Sequence, residues 1–393
     1  MTEEPPAVPE AVRPPRSLQE LIDRVSGRNL AATVPPVESG IVDSPPYPFL
    51  ALVGQREMKL ALLLSLINPA VGGVLLVGPR GTGKTTAVRS LTTLLPDVLR
   101  SLCPNGYGCQ PDDIEQGGMD AVCPDCARRF GEGEPLARPD KVRLFELPLN
   151  AELDDVVGGL DERAAGQHRF RIRRGLLAQA DRQLLYIDEV NLLANILIDA
   201  ILDASAQGQY TVRRGPVAAT YFSRFVLIGS MNPEEGQLRP QILDRFGLRI
   251  LVDGLGDPGD RLEAYRRVRA YRTNPRMTAA EYGEATELIR LEIQDARDRL
   301  PDVRIDDAVA GLGLDLIERL DIASLRAEIT LFESARAYAA SDGRAETTAE
   351  DLWAVAAMAL RLRRSSFISE YFKDRQGEEG EIRTEIEKLK AET

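Results

Sequence analysis

The stretch GGVLLVGPRGTGKTT, residues 72–86, constrains the fold of this chain more than any other part of its sequence. It begins with a short, continuous apolar run of the kind that a buried parallel strand requires. It continues with the spacing G-x-x-x-x-G-K-[ST], and a helical pattern follows over residues 84–95. A glycine-rich loop between a buried strand and a helix N-terminus presents backbone amides to phosphate. The stretch therefore predicts a phosphate-binding loop in a parallel α/β sheet.

The residue types of this loop suit ATP bound together with Mg²⁺. Lys84 supplies a point charge to the β and γ phosphates, and Thr85 offers its hydroxyl to Mg²⁺. A chance glycine-rich turn is the competing interpretation, and the strand–loop–helix context argues against it. The predicted nucleotide-binding residues of the loop are Gly78, Gly81, Thr82, Gly83, Lys84, Thr85 and Thr86.

Three polar residues follow two later apolar runs. LLYIDEV ends in Asp188 and Glu189. Asp188 is predicted to hold Mg²⁺ through water, and Glu189 to polarise the water that attacks the γ-phosphate. Asn232, in GSMNP, follows another apolar run and is predicted to orient that water. An acid pair ending a strand and an Asn-Pro turn are also common without any catalytic role, but their place downstream of the loop favours catalysis.

Changes of pattern along the chain predict its domains. Apolar strand-like runs alternate with helical patterns up to about residue 256, which indicates a parallel α/β sheet, and only helical patterns follow. Nine of the 25 prolines lie in the first 46 residues, which is typical of a flexible arm. The predicted units are a proline-rich arm (1–46), an α/β ATPase domain (47–256) with a cysteine-rich insertion (100–135), an all-α lid domain (257–364) and a charged tail (365–393).

Composition narrows the functional classes. The chain carries 49 basic and 61 acidic residues, for a net charge of −12, which argues against nucleic acid as a main partner. Its longest apolar runs are shorter than the roughly 20 residues that span a bilayer. The N-terminus, MTEEPPAVPE, is acidic and proline-rich, unlike a signal peptide. We therefore expect a cytoplasmic protein without a membrane partner.

All four cysteines lie in one short window, CPNGYGCQPDDIEQGGMDAVCPDC. Cys103, Cys109, Cys123 and Cys126 form the pattern C-x5-C-x13-C-x2-C, and four thiolates round one Zn²⁺ would fold a loop too polar to fold by itself. We predict a structural zinc site. A redox-switchable dithiol, an iron–sulfur cluster and a site that binds nothing remain open.

The order of these motifs, followed by a helical domain, resembles an AAA+ ATPase of the MoxR/chelatase branch, with a P-loop NTPase sheet and an all-α lid. Longer segments narrow the resemblance to the family of magnesium-chelatase ATPase subunit I. It runs from about Pro48 to about Arg364. The segments that carry it are PFLALVGQREMKLALLLSLINPAVGGVLLVGPRGTGKTT, GLLAQADRQLLYIDEVNLL, SRFVLIGSMNPEEGQLRPQILDRFGL and ARAYAASDGRAETTAEDL.

The resemblance implies further site residues. Arg245 in LRPQILDRFG matches the family's arginine finger, which reaches the γ-phosphate of a neighbouring subunit, and Asp244 lies at the same interface. A local salt bridge is the alternative role for Arg245. Arg326 in SLRAEI matches the family's second sensor, a lid arginine that touches the nucleotide, although the family usually reads closer to LRGDL. The predicted catalytic residues are Glu189, Asn232, Arg245 and Arg326.

Two segments correspond to the family's helix and hairpin insertions, which face partner subunits. They are GGLDERAAGQHRFRIRRGLLA and GQYTVRRGPVAATYFSRF. His168 lies in the first of them, and we expect it to be a surface residue rather than a metal ligand.

The family resemblance also implies a function. It implies an ATP-hydrolysing motor that forms a hexameric ring and requires ATP and Mg²⁺. The motor would bind an integrin-like subunit with a von Willebrand-type domain and drive Mg²⁺ insertion into protoporphyrin IX on a porphyrin-binding subunit, in chlorophyll or bacteriochlorophyll synthesis. The alternative is a MoxR-like or cobalt-chelatase-like remodelling ATPase with another von Willebrand-type partner. A DNA-acting AAA+ protein is disfavoured by the acidic charge.

Overall fold

The computed structural model describes residues 45–363, with gaps at 106, 161–171, 216 and 237. The strands of the described part are β1 (Val74–Val77), β2 (Val98–Ser101), β3 (Ala137–Asp140), β4 (Leu144–Leu147), β5 (Leu184–Ile187), β6 (Gln209–Arg214), β7 (Val217–Phe222), β8 (Val226–Met231) and β9 (Leu248–Leu251). Its α-helices up to the last strand are α1 (Arg56–Ile67), α2 (Lys84–Ser90), α3 (Pro111–Gly117), α4 (Pro124–Gly131), α5 (Leu153–Val157), α6 (Leu176–Gln179), α7 (Asn195–Gln207) and α8 (Pro240–Arg245). Those after the last strand are α9 (Pro258–Thr273), α10 (Pro275–Glu281), α11 (Gly283–Arg299), α12 (Asp307–Arg319), α13 (Leu325–Ser341) and α14 (Ala349–Leu360).

Five parallel strands form the central sheet, in the order β4-β5-β8-β1-β9. The loop-bearing strand β1 lies between β8 and β9, so the carboxyl ends of β1, β5 and β8 meet at one edge. Every residue of β1, β5 and β8 is buried. Strands of this kind are continuously apolar because helices cover both faces of the sheet. The predicted parallel α/β sheet is confirmed.

Alternate residues of β1 point into two separate cores. Val74 and Leu76 pack into the core on the α1 and α2 face, which also takes in the helices beyond β9. Leu75 and Val77 pack into the core on the opposite face, which α7 closes with Ile198 and other apolar residues. This alternation follows from the two-residue period of a strand.

The edge strand β9 has no counterpart in the sequence predictions. Its four residues, LRIL, include Arg249, whose side chain is fully buried. A buried arginine interrupts the apolar run that marks the other strands. The guanidinium of Arg249 donates a 3.0 Å hydrogen bond to the carbonyl of Arg361, so the strand pairs with β1 while its one charge is tied to the chain that follows α14.

An all-helical region follows β9, as predicted. Helix α13 packs most extensively on α14 and also contacts α1, and it buries a row of small side chains that let these helices approach closely. The turn before α14 is fixed by Asp351, which accepts hydrogen bonds from the Thr348 backbone (2.8 Å) and from Arg344. This region therefore docks on the α1 face of the sheet.

Two antiparallel strand pairs lie outside the central sheet. One pair, β2 and β3, brackets the cysteine-rich insertion, with Val98 opposite Asp140 and Ser101 opposite Ala137. The other pair is the β6–β7 hairpin. Within the described ranges, no helix has the length and apolar character needed to cross a membrane.

Candidate nucleotide site and cysteine cluster

The glycine-rich loop runs from the end of β1 to the start of α2. A Cβ atom at Gly78 would lie 2.0 Å from the Val252 carbonyl oxygen, so only glycine fits where the loop passes the chain after β9. Gly83 has φ of +89° and directly precedes α2, a conformation that side chains with a Cβ rarely adopt. The two glycines therefore serve different needs, close backbone approach and a left-handed turn into the helix.

Lys84 begins α2 and is 9% exposed. Its ammonium donates hydrogen bonds to the carbonyl oxygens of Gly78 (2.6 Å) and Pro79 (2.7 Å). Burial lowers the pKa of Lys84, while the nearby Asp188, Glu235 and Glu189 carboxylates act in the opposite direction. The ammonium therefore lies within the loop itself, where an incoming phosphate can exchange with the carbonyl oxygens as its partner.

Asp188 lies one residue beyond β5, in a small hydrogen-bond network. Its Oδ1 accepts hydrogen bonds from the Tyr186 hydroxyl (2.8 Å) and the Ser230 hydroxyl. Its Oδ2 lies 3.5 Å from the Thr85 hydroxyl on α2. Burial raises the pKa of Tyr186, so this phenol stays protonated as a donor. The network aims a carboxylate and a hydroxyl at the same point, which is the donor set that Mg²⁺ prefers.

Glu189 is held by its backbone in an uncommon conformation. Its φ is +54°, in the left-handed region, and its N–H donates a 3.2 Å hydrogen bond to the Ser230 hydroxyl. The carboxylate of Glu189 accepts a 2.8 Å hydrogen bond from Arg80 of the loop. A non-glycine residue at positive φ often marks a functional site. Here it turns the Glu189 side chain toward the loop.

Asn232 is 5% exposed and follows β8 directly. Its Oδ1 accepts a 3.2 Å hydrogen bond from the Glu234 N–H and so caps the short 3₁₀ helix Pro233–Glu235. The cap fixes the side chain at the rim of the nucleotide site, with its amide group still able to donate.

These residues enclose one cavity of about 310 Å³ at the carboxyl edge of the sheet. The cavity brings together all of the predicted loop residues from Gly81 to Thr86, both acids and Asn232. Its lining residues are Arg80, Gly81, Thr82, Gly83, Lys84, Thr85, Thr86, Asp188, Glu189, Ser230, Met231 and Asn232.

A second cavity of about 530 Å³ adjoins the other side of the loop through Gly81, Thr82, Gly83 and Thr86. Its walls are largely apolar and come from the segment before α1, the first turn of α1, the segment after β9, and α9. The lining residues outside the loop are Tyr47, Leu52, Val53, Gln55, Met58, Gly254, Leu255, Arg261, Ala264 and Val268. Polar and apolar cavities on either side of one loop suit a molecule with a charged end and an aromatic end.

The structure does not bring Arg245 or Arg326 to either cavity. Arg245, at the end of α8, pairs with Asp203 (3.0 Å) and Asp199 (3.3 Å) of α7. Arg326, at the start of α13, pairs with Asp244 at 3.4 Å. Asp244, the partner of Arg326, precedes Arg245 directly in sequence, and neither arginine lines the two cavities beside the glycine-rich loop.

The four cysteines converge, as their spacing predicted. Their sulfur atoms all lie within 4.8 Å of one another, and Cys103 and Cys123 are 3.7 Å apart. All four are free thiols. Ligands at about 2.3 Å from a tetrahedral Zn²⁺ are about 3.8 Å apart, which is close to the Cys103–Cys123 separation.

Hydrogen bonds to sulfur favour a thiolate at this cluster. Asn105 donates to the Cys123 sulfur at 3.5 Å, and the Cys123 N–H donates to the Cys109 sulfur at 3.4 Å. Burial acts to raise the pKa of Cys123, but hydrogen bonds, with Asn105 the strongest, outweigh it and lower the pKa to about 7. Burial raises the pKa of Cys109 to about 12 and that of Cys126 further.

The apolar core of the cysteine insertion is small. Apart from Cys109 and Cys126, the buried residues of its small core are Val122 and Leu136. A core of this size supplies little hydrophobic stabilisation. A cross-link through the four sulfurs would replace it.

Sequence reasoning missed four residues of the nucleotide site, namely Arg80, Tyr186, Ser230 and Glu235. Arg80 occupies a variable position of the loop motif, so only its charge could have marked it. Tyr186 and Ser230 lie inside apolar strands. A hydroxyl-bearing residue near the carboxyl end of such a strand was the only sequence signal that could have indicated them. His168, predicted to be a surface residue, falls outside the described residues.

Comparisons with known proteins identify relatives of this chain. The family model described as the AAA lid domain matches residues 315–386. The magnesium-chelatase subunit ChlI homolog of Methanocaldococcus jannaschii is 42% identical over 325 residues, 82% of this chain and 87% of that protein. The magnesium-chelatase 38 kDa subunit of Acidiphilium rubrum is 42% identical over 318 residues, 81% of this chain and 90% of that protein.

Among solved structures, the chain is similar to one from a complex between subunits BchI and BchD of magnesium chelatase. The identity is 38%, with 83% of this chain and 99% of that chain covered and a TM-score of 0.47. Identity above 40% over most of both sequences, together with the loop, the acid pair and the helical lid described above, shows that this chain belongs to the ChlI family of magnesium-chelatase AAA+ ATPase subunits.

Proposed function

We propose that this chain is the ATP-hydrolysing motor of a magnesium chelatase and drives insertion of Mg²⁺ into protoporphyrin IX during chlorophyll or bacteriochlorophyll synthesis. One observation carries the proposal. In a member of this family, Lys84, Thr85, Asp188 and Glu189 line a single cavity beside a glycine-rich loop. These residue types are among those that NTPases of this kind use for phosphoryl transfer, which supports the proposal.

The two cavities suggest how ATP lies in the site. The triphosphate would occupy the polar cavity of about 310 Å³, with Lys84 at its β and γ phosphates. The base would occupy the apolar cavity between the segment before α1 and helix α9, against side chains such as Met58 and Leu255. Thr85 and Asp188 would hold the Mg²⁺ that neutralises phosphate charge.

Glu189 and Asn232 would act on the attacking water. Both line the polar cavity. The hydroxyls of Tyr186 and Ser230 donate to the carboxylate of Asp188 and not to that of Glu189. Glu189 would accept a proton from the water as it attacks, and the Asn232 amide would orient it. No redox or covalent intermediate is required.

Arg245 and Arg326 would complete the site of a neighbouring copy. Neither lines a cavity at the loop of its own chain, and the ion-pair partners of Arg245 among the described residues are the half-exposed carboxylates of Asp199 and Asp203. Such exposed ion pairs are weak, so a phosphate presented by a neighbour can replace them. Hydrolysis would then depend on assembly, because the charge that stabilises the transition state comes from another chain.

Exposed apolar side chains on the helical region support assembly into a ring, which we propose to be a hexamer. Five of them lie on α9, α10 and α11 and are at least 49% exposed. Exposed apolar side chains that cluster in a patch mark interaction surfaces. The five are Leu262, Tyr265, Met277, Leu288 and Leu291.

We further propose two other partners, on the basis of family membership. They are a chelatase subunit with a von Willebrand or integrin-type domain and the large porphyrin-binding subunit, so that this chain supplies energy without holding the porphyrin. We also propose a cytoplasmic location, and the acidic composition argues against nucleic acid or a membrane as a partner.

We propose that the cysteine cluster holds a structural Zn²⁺. The sulfur spacing supports four thiolate ligands, and the small core of the insertion leaves a need for a cross-link. Zinc bound by four thiolates has no open position for a substrate, so the metal would fold the insertion and take no part in ATP hydrolysis.

Mixing of inactive variants tests the shared site directly. Glu189→Gln and Arg245→Ala chains should each hydrolyse ATP slowly when tested alone. The rate should fall by roughly a thousandfold in Arg245→Ala if Arg245 acts as arginine fingers do in other NTPases. A mixture should recover part of the activity, because a Glu189→Gln neighbour still supplies Arg245 to an intact Glu189. Mixtures with Lys84→Ala in place of Arg245→Ala should not recover, because both variants then lack an intact hydrolytic site. No recovery in the first mixture would contradict action across subunits.

A further inference from the structure

Arg80 joins the loop to the hydrolytic carboxylate in a way that no part of the proposed function explains. One guanidinium nitrogen of Arg80, NH2, lies 2.8 Å from Glu189 Oε1 and 2.6 Å from Glu235 Oε1. The side chain of Arg80 is 69% exposed, whereas those of Glu189 and Glu235 are 23% and 22% exposed. The arginine therefore reaches across the mouth of the cavity onto two more buried acids.

The backbones of both acids are fixed, so Arg80 is the movable member of the cluster. Glu189 is held by its left-handed backbone and by the hydrogen bond of its N–H to Ser230. Glu235 ends the short 3₁₀ helix that Asn232 caps. Arg80 lies between Pro79 and Gly81 and has no other ion-pair partner among the described residues.

Charge at the cavity makes this arrangement sensitive to phosphate. Two cations, Arg80 and Lys84, face three carboxylates, those of Asp188, Glu189 and Glu235. Glu189 and Glu235 share one guanidinium nitrogen of Arg80, and ion pairs to a mostly exposed arginine are easily exchanged. A γ-phosphate in the cavity would offer that arginine a doubly charged acceptor with several oxygens, which it binds more strongly than a single carboxylate.

We propose that Arg80 is a γ-phosphate-binding residue of its own chain, which leaves Glu189 and Glu235 when ATP binds and returns to them when only ADP remains. The exchange frees the Glu189 carboxylate for the attacking water only while a γ-phosphate is present. This inference rests on the proposed function, because it takes Glu189 as the group that polarises the water.

The consequence is a selective effect on ATP. ADP has no γ-phosphate, so Arg80 stays on the two carboxylates and contributes little to ADP binding. When ATP binds, Arg80 forms a charge-assisted hydrogen bond to the γ-phosphate and gives up its weaker ion pairs with Glu189 and Glu235. Removing the guanidinium should therefore weaken ATP binding and leave ADP binding nearly unchanged, which reduces the preference of the site for ATP.

Equilibrium binding of two nucleotides tests the assignment in the full-length chain. The probes are the non-hydrolysable ATP analogue with an imido β,γ bridge and ADP, each with Mg²⁺. Arg80→Ala should weaken binding of the analogue by about tenfold, the value of one charge-assisted hydrogen bond to phosphate, with ADP affinity changed less than about twofold. Arg80→Lys should weaken binding of the analogue less than Arg80→Ala does, because lysine keeps the positive charge.

A matched control and a second variant complete the test. Arg89→Ala removes an arginine of similar exposure from helix α2, where it pairs with Glu146 of β4, and it should change neither affinity. Glu235→Gln removes a competing acceptor without altering the loop, and it should tighten binding of the analogue two- to threefold, by roughly the strength of one exposed pair.

The outcomes separate this inference from the proposed function. The assignment of Arg80 as a γ-phosphate-binding residue would be overturned if Arg80→Ala weakened binding of the analogue and of ADP equally, left analogue binding unchanged, or tightened it. It would also be overturned if Glu235→Gln bound the analogue as the unaltered chain does. Failure of the unaltered chain to bind either nucleotide would instead overturn the proposed ATPase function.

Discussion

Replacing Asp244 by asparagine should destabilise the docking of the helical lid on the sheet. One carboxylate serves three arginines: Asp244 Oδ1 is 2.8 Å from Arg363 and 3.7 Å from Arg249, and Oδ2 is 3.4 Å from Arg326. The side chains of Arg249 and Arg363 are fully buried. Burial lowers the pKa of Arg249 to about 9, and Asp244 opposes that shift. The carboxylate therefore compensates two charges that cannot reach water.

The magnitude follows from this burial. Removing one partner of a buried ion pair costs about 3–5 kcal/mol. Asp244 is itself 30% exposed, and Arg363 keeps acceptors such as the Gly247 carbonyl at 3.0 Å. We therefore expect a loss of about 2–3 kcal/mol in the free energy of unfolding, which lowers Tm by about 3–4 °C in a chain of this size.

Differential scanning calorimetry measures the effect, with Asp315→Asn as the matched control. Asp315 pairs with Arg319 at 2.8 Å, but both side chains are more than half exposed, so its loss should cost less than about 0.5 kcal/mol. A Tm for Asp244→Asn within a degree of the unaltered protein, or equal to that of Asp315→Asn, would refute the idea that one carboxylate compensates the buried arginines.

Three further substitutions address the cysteine cluster, the loop and the lid. Cys126→Ser should reduce zinc in the purified protein from one per chain to almost none and make the insertion sensitive to protease; zinc retained at one per chain would count against a four-thiolate site. Gly78→Ala should abolish nucleotide binding, because its Cβ would lie 2.0 Å from the Val252 carbonyl oxygen; binding within about threefold of normal would show that the loop can move aside. At Asp351, burial acts to raise the pKa of the carboxyl, but hydrogen bonds from Arg344 and the Thr348 backbone outweigh it and lower the pKa. A lowered folded-state pKa gives stability that is present above about pH 4, the unfolded value, and lost as the pH falls through the folded value. Asp351→Asn should therefore cost about 2 kcal/mol at pH 7 and flatten the acid end of the stability profile, measured by urea unfolding from pH 7 to pH 3, and an unchanged slope would contradict this.

The sequence reveals the nucleotide site because its chemistry is local. Strands β1, β5 and β8 are buried on both faces and so read as apolar runs, and the carboxyl end of each carries polar residues. Parallel strands bring those ends to one edge. The convergence of Lys84, Asp188, Glu189 and Asn232 follows from this rule alone.

The location of Arg326 depends on how the helical lid docks, and that of Arg245 on how α8 packs on α7, and no local pattern records either. The docking is decided by packing of α13 against α1 and by the contacts of Asp244 with arginines up to 119 residues away in sequence. Strand β9 was missed for the same reason, since Arg249 is acceptable in a buried strand only with those distant partners. Arg80 and Glu235 could not be linked from sequence, because their pairing joins the loop to a turn that follows a different strand.

The most direct test of the central claim is metal insertion itself. This chain would be combined with the von Willebrand-type and porphyrin-binding subunits of the same organism, protoporphyrin IX, Mg²⁺ and ATP, and fluorescence of Mg-protoporphyrin would be followed. The account predicts product with the unaltered chain and none with Lys84→Ala, provided that the variant's circular dichroism is unchanged. An absence of product from an unaltered chain that hydrolyses ATP and forms rings would contradict the assignment to magnesium chelation, and would favour a MoxR-like or cobalt-chelatase-like client.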